Sequence, residues 1–271
     1  ESPVVKGYIL KDAKQKEVAA TTGLTADSKD ENIEVVYTKL GSWVPNIPGT
    51  PTDPIPYPND PNDPTKPGSD KPIVPYVPGT TPVVPKDPTK PISPDNPLVP
   101  LTPVDPNDPS KGYEVPPVPT DPGTDTPITY VTDKQKAITN FKDKDGNKVS
   151  DSVVDEGDSG SKFTKSGDVE SKIKELVKKG YIVVSNDYPS ADNDRVFDKD
   201  KDKDQFFNVV VTPLIVPTNP NNPDKPMVPT DPTKPVGPNN PLKPVTPSTP
   251  KPGEPVFPND PNSPVWPNTV K

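Results

Sequence analysis

Residues 166–185 read SGDVESKIKELVKKGYIVVS. Val169, Ile173, Leu176 and Val177 recur at i, i+4, i+7 and i+8, the single apolar stripe of a helix lying on a core. Ser166 is placed to cap the helix start. Asp168 and Glu170 fall in the first turn, where the positive end of the helix dipole favours acids. Lys178 and Lys179 occupy the last turn, and Gly180 follows where the chain needs a left-handed residue to leave the helix. Tyr181–Ser185 is aromatic and β-branched, which predicts a strand. A helix that returns at once into a strand has to pack back on a sheet.

The flanking residues supply that sheet. In QKAITNF (135–141) Ala137, Thr139 and Phe141 alternate onto one face. Asp-Gly at 145–146 signals a hairpin turn, and Val149–Val154 returns as a second strand. FFNVVV (206–211) reads as a last strand after an acidic excursion. The order is strand, strand, helix, strand, strand over 128–212, a two-layer α+β unit. It is the order of a small β-grasp (ubiquitin-like) module. The first residues repeat its second half: KGYI at 6–9 matches KGYI at 179–182, and NIEVVYT at 32–38 matches FFNVVVT at 206–212. Segment 1–42 is therefore expected to be the C-terminal part of a related module. Glu1 reads as a cut end, and the chain as a fragment of an array.

Proline dominates the rest. It makes up 48 of 271 residues, against an average near 5%. From Pro82 to Pro109, from Pro217 to Pro250 and from Pro252 to Pro267 it recurs every third residue. Polyproline II has three residues per turn, so these runs are expected to be extended rods, about 100 Å for 217–250 at ~3.1 Å per residue. The expected organisation is a partial module at 1–42, a linker at 43–127, a complete module at 128–212 and a second linker at 213–271.

Composition removes several chemistries. The chain has neither His nor Cys, which excludes a Ser-His-Asp triad, a cysteine nucleophile, a His or Cys metal site and disulfides. The net charge of −8 is the wrong sign for a phosphate backbone, so no nucleic-acid partner is expected. No run of 18 apolar residues predicts a membrane span. No catalytic residue, metal site or cofactor is expected. Asp198–Asp204 alternates Asp with Lys, which compensates its charge locally and favours a solvated loop over a calcium site.

Several stretches together resemble the mucus-binding (Mub, MucBP-type) repeats of lactic acid bacterial surface adhesins. These are DKQKAITNFKD (133–143), IKELVKKGYIVVSNDYPS (173–190) and FDKDKDKDQFFNVVV (197–211) for a complete repeat. SPVVKGYILKD (2–12) and EVAATTGLTADSKDENIEVVYTK (17–39) resemble the end of a companion repeat, and GEPVFPNDPNSPVWPN (253–268) its opening. The resemblance implies no catalysis. It implies an extracellular, cell-surface protein, anchored to the cell wall through parts outside this sequence, that binds mucin glycans, with immunoglobulin an alternative partner. A structural spacer is the other reading. No binding residue carries over from the family. Aromatics in or beside Pro-rich chain, namely Tyr57, Tyr76, Tyr113 and Trp266, with Trp43, are candidate sugar-stacking residues, against local packing on proline. The helix lysines Lys172, Lys174, Lys178 and Lys179 are candidates for acidic sugars, against a solvated face.

Overall fold

The computed structural model describes residues 1–213, 218–219 and 222–244. The chain forms two compact units that divide between Thr132 and Asp133. Both are α+β or β in character, with one α-helix among the described residues.

The first unit overturns the expectation of a rod over 43–127. Its strands are β1 (Tyr8–Leu10), β2 (Tyr37–Lys39), β3 (Ser42–Asn46), β4 (Ile55–Pro56), β5 (Asn59–Asp60), β6 (Asp63–Pro67), β7 (Ile73–Val74), β8 (Thr80–Pro85), β9 (Leu98–Pro100), β10 (Tyr113–Glu114) and β11 (Thr126–Thr132). Five of them make one sheet in the order β4-β3-β11-β8-β9. Its first and last strands in sequence, β3 and β11, are parallel neighbours, from Thr126↔Trp43 to Thr129↔Asn46. Ile9, Leu40, Trp43, Tyr57, Val74, Val84, Leu101, Tyr113, Ile128 and Tyr130 form one buried cluster. The apolar residues standing between prolines are therefore core, and burying them offsets the chain entropy that an isolated rod would keep. Segment 1–42 belongs to the same unit. Asn59 ties it in, accepting from Gly7 N at 2.7 Å and donating to Tyr8 O at 2.8 Å.

Proline removes backbone donors, so these carbonyls need partners from elsewhere. Asn96 supplies them. Its Nδ2 donates to the carbonyls of Asp87 (2.9 Å), Lys90 (3.0 Å) and Pro91 (3.0 Å), while its Oδ1 accepts from Asp87 N at 2.7 Å. The Asp87 carboxylate closes the turn on Thr89 N and Thr89 Oγ1. The flanking β8–β9 pairs are Val83↔Pro100, Val84↔Val99 and Pro85↔Leu98.

The second unit contains β12 (Lys134–Asp143), β13 (Lys148–Asp158), α1 (Ser166–Lys178), β14 (Tyr181–Asn186) and β15 (Gln205–Pro213), followed by β16 (Thr218–Asn219), β17 (Asn222–Pro229) and β18 (Leu242–Pro244). The first four strands form a sheet in the order β13-β12-β15-β14. Strands β12 and β15 run parallel at its centre, with antiparallel partners outside. The helix covers one face. Val169, Ile173 and Leu176 meet Ala137, Phe141, Val153, Val183, Val209 and Val211, together with Phe163, Tyr188 and Phe197, and Val177 is buried on the same helix. Gly157 is required where it stands, because a Cβ there would lie 2.4 Å from the Phe197 ring. At the β12–β13 turn Gly146 takes φ +87°, and Asp143 accepts from Asp145 N and Asn147 N.

One local expectation differs. Ser166 does not cap α1; its hydroxyl pairs with Tyr188 Oη at 2.7 Å. The free amides before the helix are taken instead by Asp155, reaching from β13 to Thr164 N and Lys165 N, both at 2.8 Å.

Two pieces of the first unit recur in the second. Strand β16 pairs with β17 through Thr218↔Pro226 and Asn219↔Asn222, as β5 pairs with β6 through Asn59↔Pro67 and Asp60↔Asp63. Strand β17 then pairs with β18 in the register of β8 and β9, and Asn240 repeats the role of Asn96. It donates to Asp231 O, Lys234 O and Pro235 O and accepts from Asp231 N. The described part of the 217–250 run is thus paired strand and stapled loop, not polyproline II. The Pro252–Pro267 run lies outside the described residues.

Candidate functional site

The aromatics expected to meet sugar are mostly structural. Trp43 is 2% exposed, packs edge-on to Tyr57 with ring centres 4.7 Å apart, and donates from Nε1 to Pro116 O at 2.9 Å. Tyr57 is buried against Thr126 and Thr124, with its hydroxyl pKa pushed up by burial. Tyr113 is buried in the same cluster, and Tyr76 is half-buried beside it. Buried rings present no face to a ligand, which takes Tyr57, Tyr113 and Trp43 out of contention. Trp266 lies outside the described residues. Of the helix lysines, Lys174, Lys178 and Lys179 are exposed and Lys172 is half-buried.

The acidic run is organised by a buried amide. Gln135, 2% exposed, donates from Nε2 to Asp198 Oδ1, Asp200 O and Lys203 O at 2.5, 2.6 and 2.8 Å. The loop wraps around a side chain that takes up one of its carboxylate oxygens and two of its backbone carbonyls. Among the described residues no group of three or more acidic side chains is placed to hold a metal ion.

The corner beside the helix start is likewise compensated. Arg195 lies 5.2 Å from the centre of the Tyr188 ring, donates to Pro189 O and pairs with Glu170 at 3.2 Å. Burial raises the Tyr188 hydroxyl pKa, with the Ser166 bond acting the other way.

The helix-free face of the β13-β12-β15-β14 sheet is different. Alternation sends Ala137, Thr139 and Phe141 to the core and Lys136, Ile138 and Asn140 to the open side. Register aligns three apolar residues across neighbouring strands on that open side: Val154 opposite Ile138, and Ile138 opposite Phe206. Phe206 is 59% exposed and Val154 40%. One row along the strands stand Asn140, Asn208 and Ser152, whose hydroxyl donates to Asn140 Oδ1 at 2.6 Å. One row the other way, Lys136 pairs with Glu156 at 3.2 Å. This row thus offers a ring and two aliphatic side chains in water, bordered by amides, a hydroxyl and a charge pair that cancels itself, with Val184 and Val210 further along the same face. Sequence reading passed over these residues although the signal was present. Phe206 and Phe207 are consecutive in an alternating strand, so only one of them can reach the core.

Residues 135–212 match the family model described as a mucin binding domain, which spans all four strands of this sheet and its helix. No curated protein matches the chain.

Proposed function

We propose that this chain is part of a bacterial surface adhesin that holds host mucin non-covalently, on the match of residues 135–212 to the mucin binding domain model. The family match carries the reading. Members of this family bind rather than catalyse. No helix among the described residues is long and apolar enough to cross a membrane.

The domain is read as a β-grasp. The order β13-β12-β15-β14, with a parallel central pair and a single helix on one face, supports this. Residues 1–42 are read as the C-terminal part of a second such domain. Tyr8↔Lys39, Ile9↔Thr38 and Leu10↔Tyr37 repeat the register of Tyr181↔Pro213, Ile182↔Thr212 and Val183↔Val211. The Pro-rich segments then act as folded spacers that set the distance between domains. One such domain presents a small polar surface, so useful attachment comes from several in series through effective concentration. Localisation at the cell surface follows from this role.

The test is saturable binding of the full chain to immobilised mucin, with and without enzymatic removal of the glycans. Binding that depends on the glycans supports the reading. No saturable binding makes the chain a spacer, and binding that survives deglycosylation points to protein recognition, as for immunoglobulin.

A further inference from the structure

We propose that the Val154–Ile138–Phe206 row on the helix-free sheet face is the sugar-stacking platform of this domain, and that it takes a neutral hexopyranose through the ring face that carries only C–H groups. The inference rests on the mucin-binding reading and names the surface and ligand chemistry it leaves open.

Three observations select this ligand. First, leaving Phe206 59% exposed in the middle of a paired strand has a cost in water that folding does not recover. The negative face of an aromatic ring attracts the polarised C–H groups of a pyranose stacked on it. Second, the exposed apolar surface is small: three side chains in this row, with Val184 and Val210 further along the same face. A stable protein partner needs roughly 800 Å² and some 20–30 residues on each side, far more than this strip, whereas one sugar ring covers it. Third, the charges beside the row cancel. Lys136 is paired with Glu156, and Lys134 with Asp158, so the charges on that side of the row are neutralised, which favours a neutral sugar over a sialic acid carboxylate or a sulfate; Lys165 Nζ is held by Val154 O at 2.7 Å, and Lys142 stands two rows away on the other side. Asn140, Asn208 and Ser152 stand one row away, each with a short polar side chain that can donate to or accept from ring hydroxyls. This is the composition that orients a neutral polyol lying on an apolar patch.

The experiment uses the full chain. Phe206→Ala is expected to weaken binding to immobilised mucin about tenfold, the scale of one aromatic stacking contact. Its thermal midpoint should stay unchanged, because the ring contributes little to the core. Ile92→Ala removes a similarly exposed side chain elsewhere, 62% exposed, and should bind as the parent does. Titration with free galactose should move the amide resonances of Ile138, Phe206 and Asn208 on a ¹⁵N-labelled chain. Mucin binding that Phe206→Ala leaves intact overturns this platform while the mucin-binding reading stands. Galactose shifts at these amides in a chain that fails to bind mucin uphold the platform and overturn that reading. Loss of binding on removal of sialic acid from the mucin overturns the neutral-sugar assignment.

Discussion

Replacing Trp43 with alanine tests whether the proline-rich half of this chain is a folded body. In a solvated rod the substitution would remove one side chain from water and change stability by less than about 0.5 kcal/mol. In the structure Trp43 is the largest fully buried side chain, set against Tyr57 and bonded to Pro116 O. Truncating a buried Trp to Ala costs ~3–5 kcal/mol in lost transfer energy and cavity. The stranded Pro116 carbonyl adds about 1 kcal/mol. The total of about 4–6 kcal/mol compares with ~5–15 kcal/mol for the whole stability of a domain. Trp43→Ala should therefore leave the first unit marginal or unfolded at 37 °C and leave Asp133–Pro213 folded. Amide hydrogen exchange resolves the two in one sample. Protection should collapse in β3, β8 and β11 and persist in β12, β14 and β15. Unchanged protection in β3, β8 and β11 would refute the argument that these prolines frame a core.

Asp155→Ala should destabilise the mucin binding domain by ~2–4 kcal/mol, because Asp155 is 4% exposed and its loss strands Thr164 N and Lys165 N at the helix start; urea denaturation followed by helix circular dichroism measures it. Gln135→Ala should free the loop that wraps its amide, read as faster tryptic cleavage after Lys199, Lys201 and Lys203 than in the parent chain. Asp63 and Asp87 are held at about 2, first by the hydroxyl bonds of Thr65 and Thr89. Their folded values lie below the ordinary 3.8, so their contribution is present above that value and fades as pH falls through about 2. Thermal midpoints of the first unit should drop between pH 4 and 2, and the doubly substituted Asp63→Asn, Asp87→Asn chain should show a flatter profile over that window.

The mucin binding domain was legible because its residues obey two clean periods. The stripe Val169, Ile173, Leu176, Val177 and the alternation Ala137, Thr139, Phe141 each admit one geometry, and α1 and β12 occupy it. The helix cap was not legible. Asp155 is eleven residues before Ser166 and reaches the helix start only once β13 has folded, so no local pattern announces it. The proline-rich half misled for a related reason. A period of three fits polyproline II, but it also fits strands whose proline nitrogens face no partner, provided side chains replace the lost donors. Asn96 and Asn240 do so from nine residues beyond Asp87 and Asp231, a contact that exists only in three dimensions. The open sheet face was not legible because Phe206 sits in a strand whose apolar run reads as wholly structural, and only the alternation with Phe207 shows that one ring must face away from the core.

The parallel pairing of β12 with β15, and of β3 with β11, sets how each body answers a mechanical load. In each of these two sheets the first strand in sequence lies parallel beside the last. A pull on the two ends drives those strands past each other in shear, so the bonds between them share the tension and must rupture together rather than peel apart one at a time. That geometry favours yielding at a bound partner before the scaffold, and single-molecule stretching of the full chain should show high-force, all-or-none extension for each body.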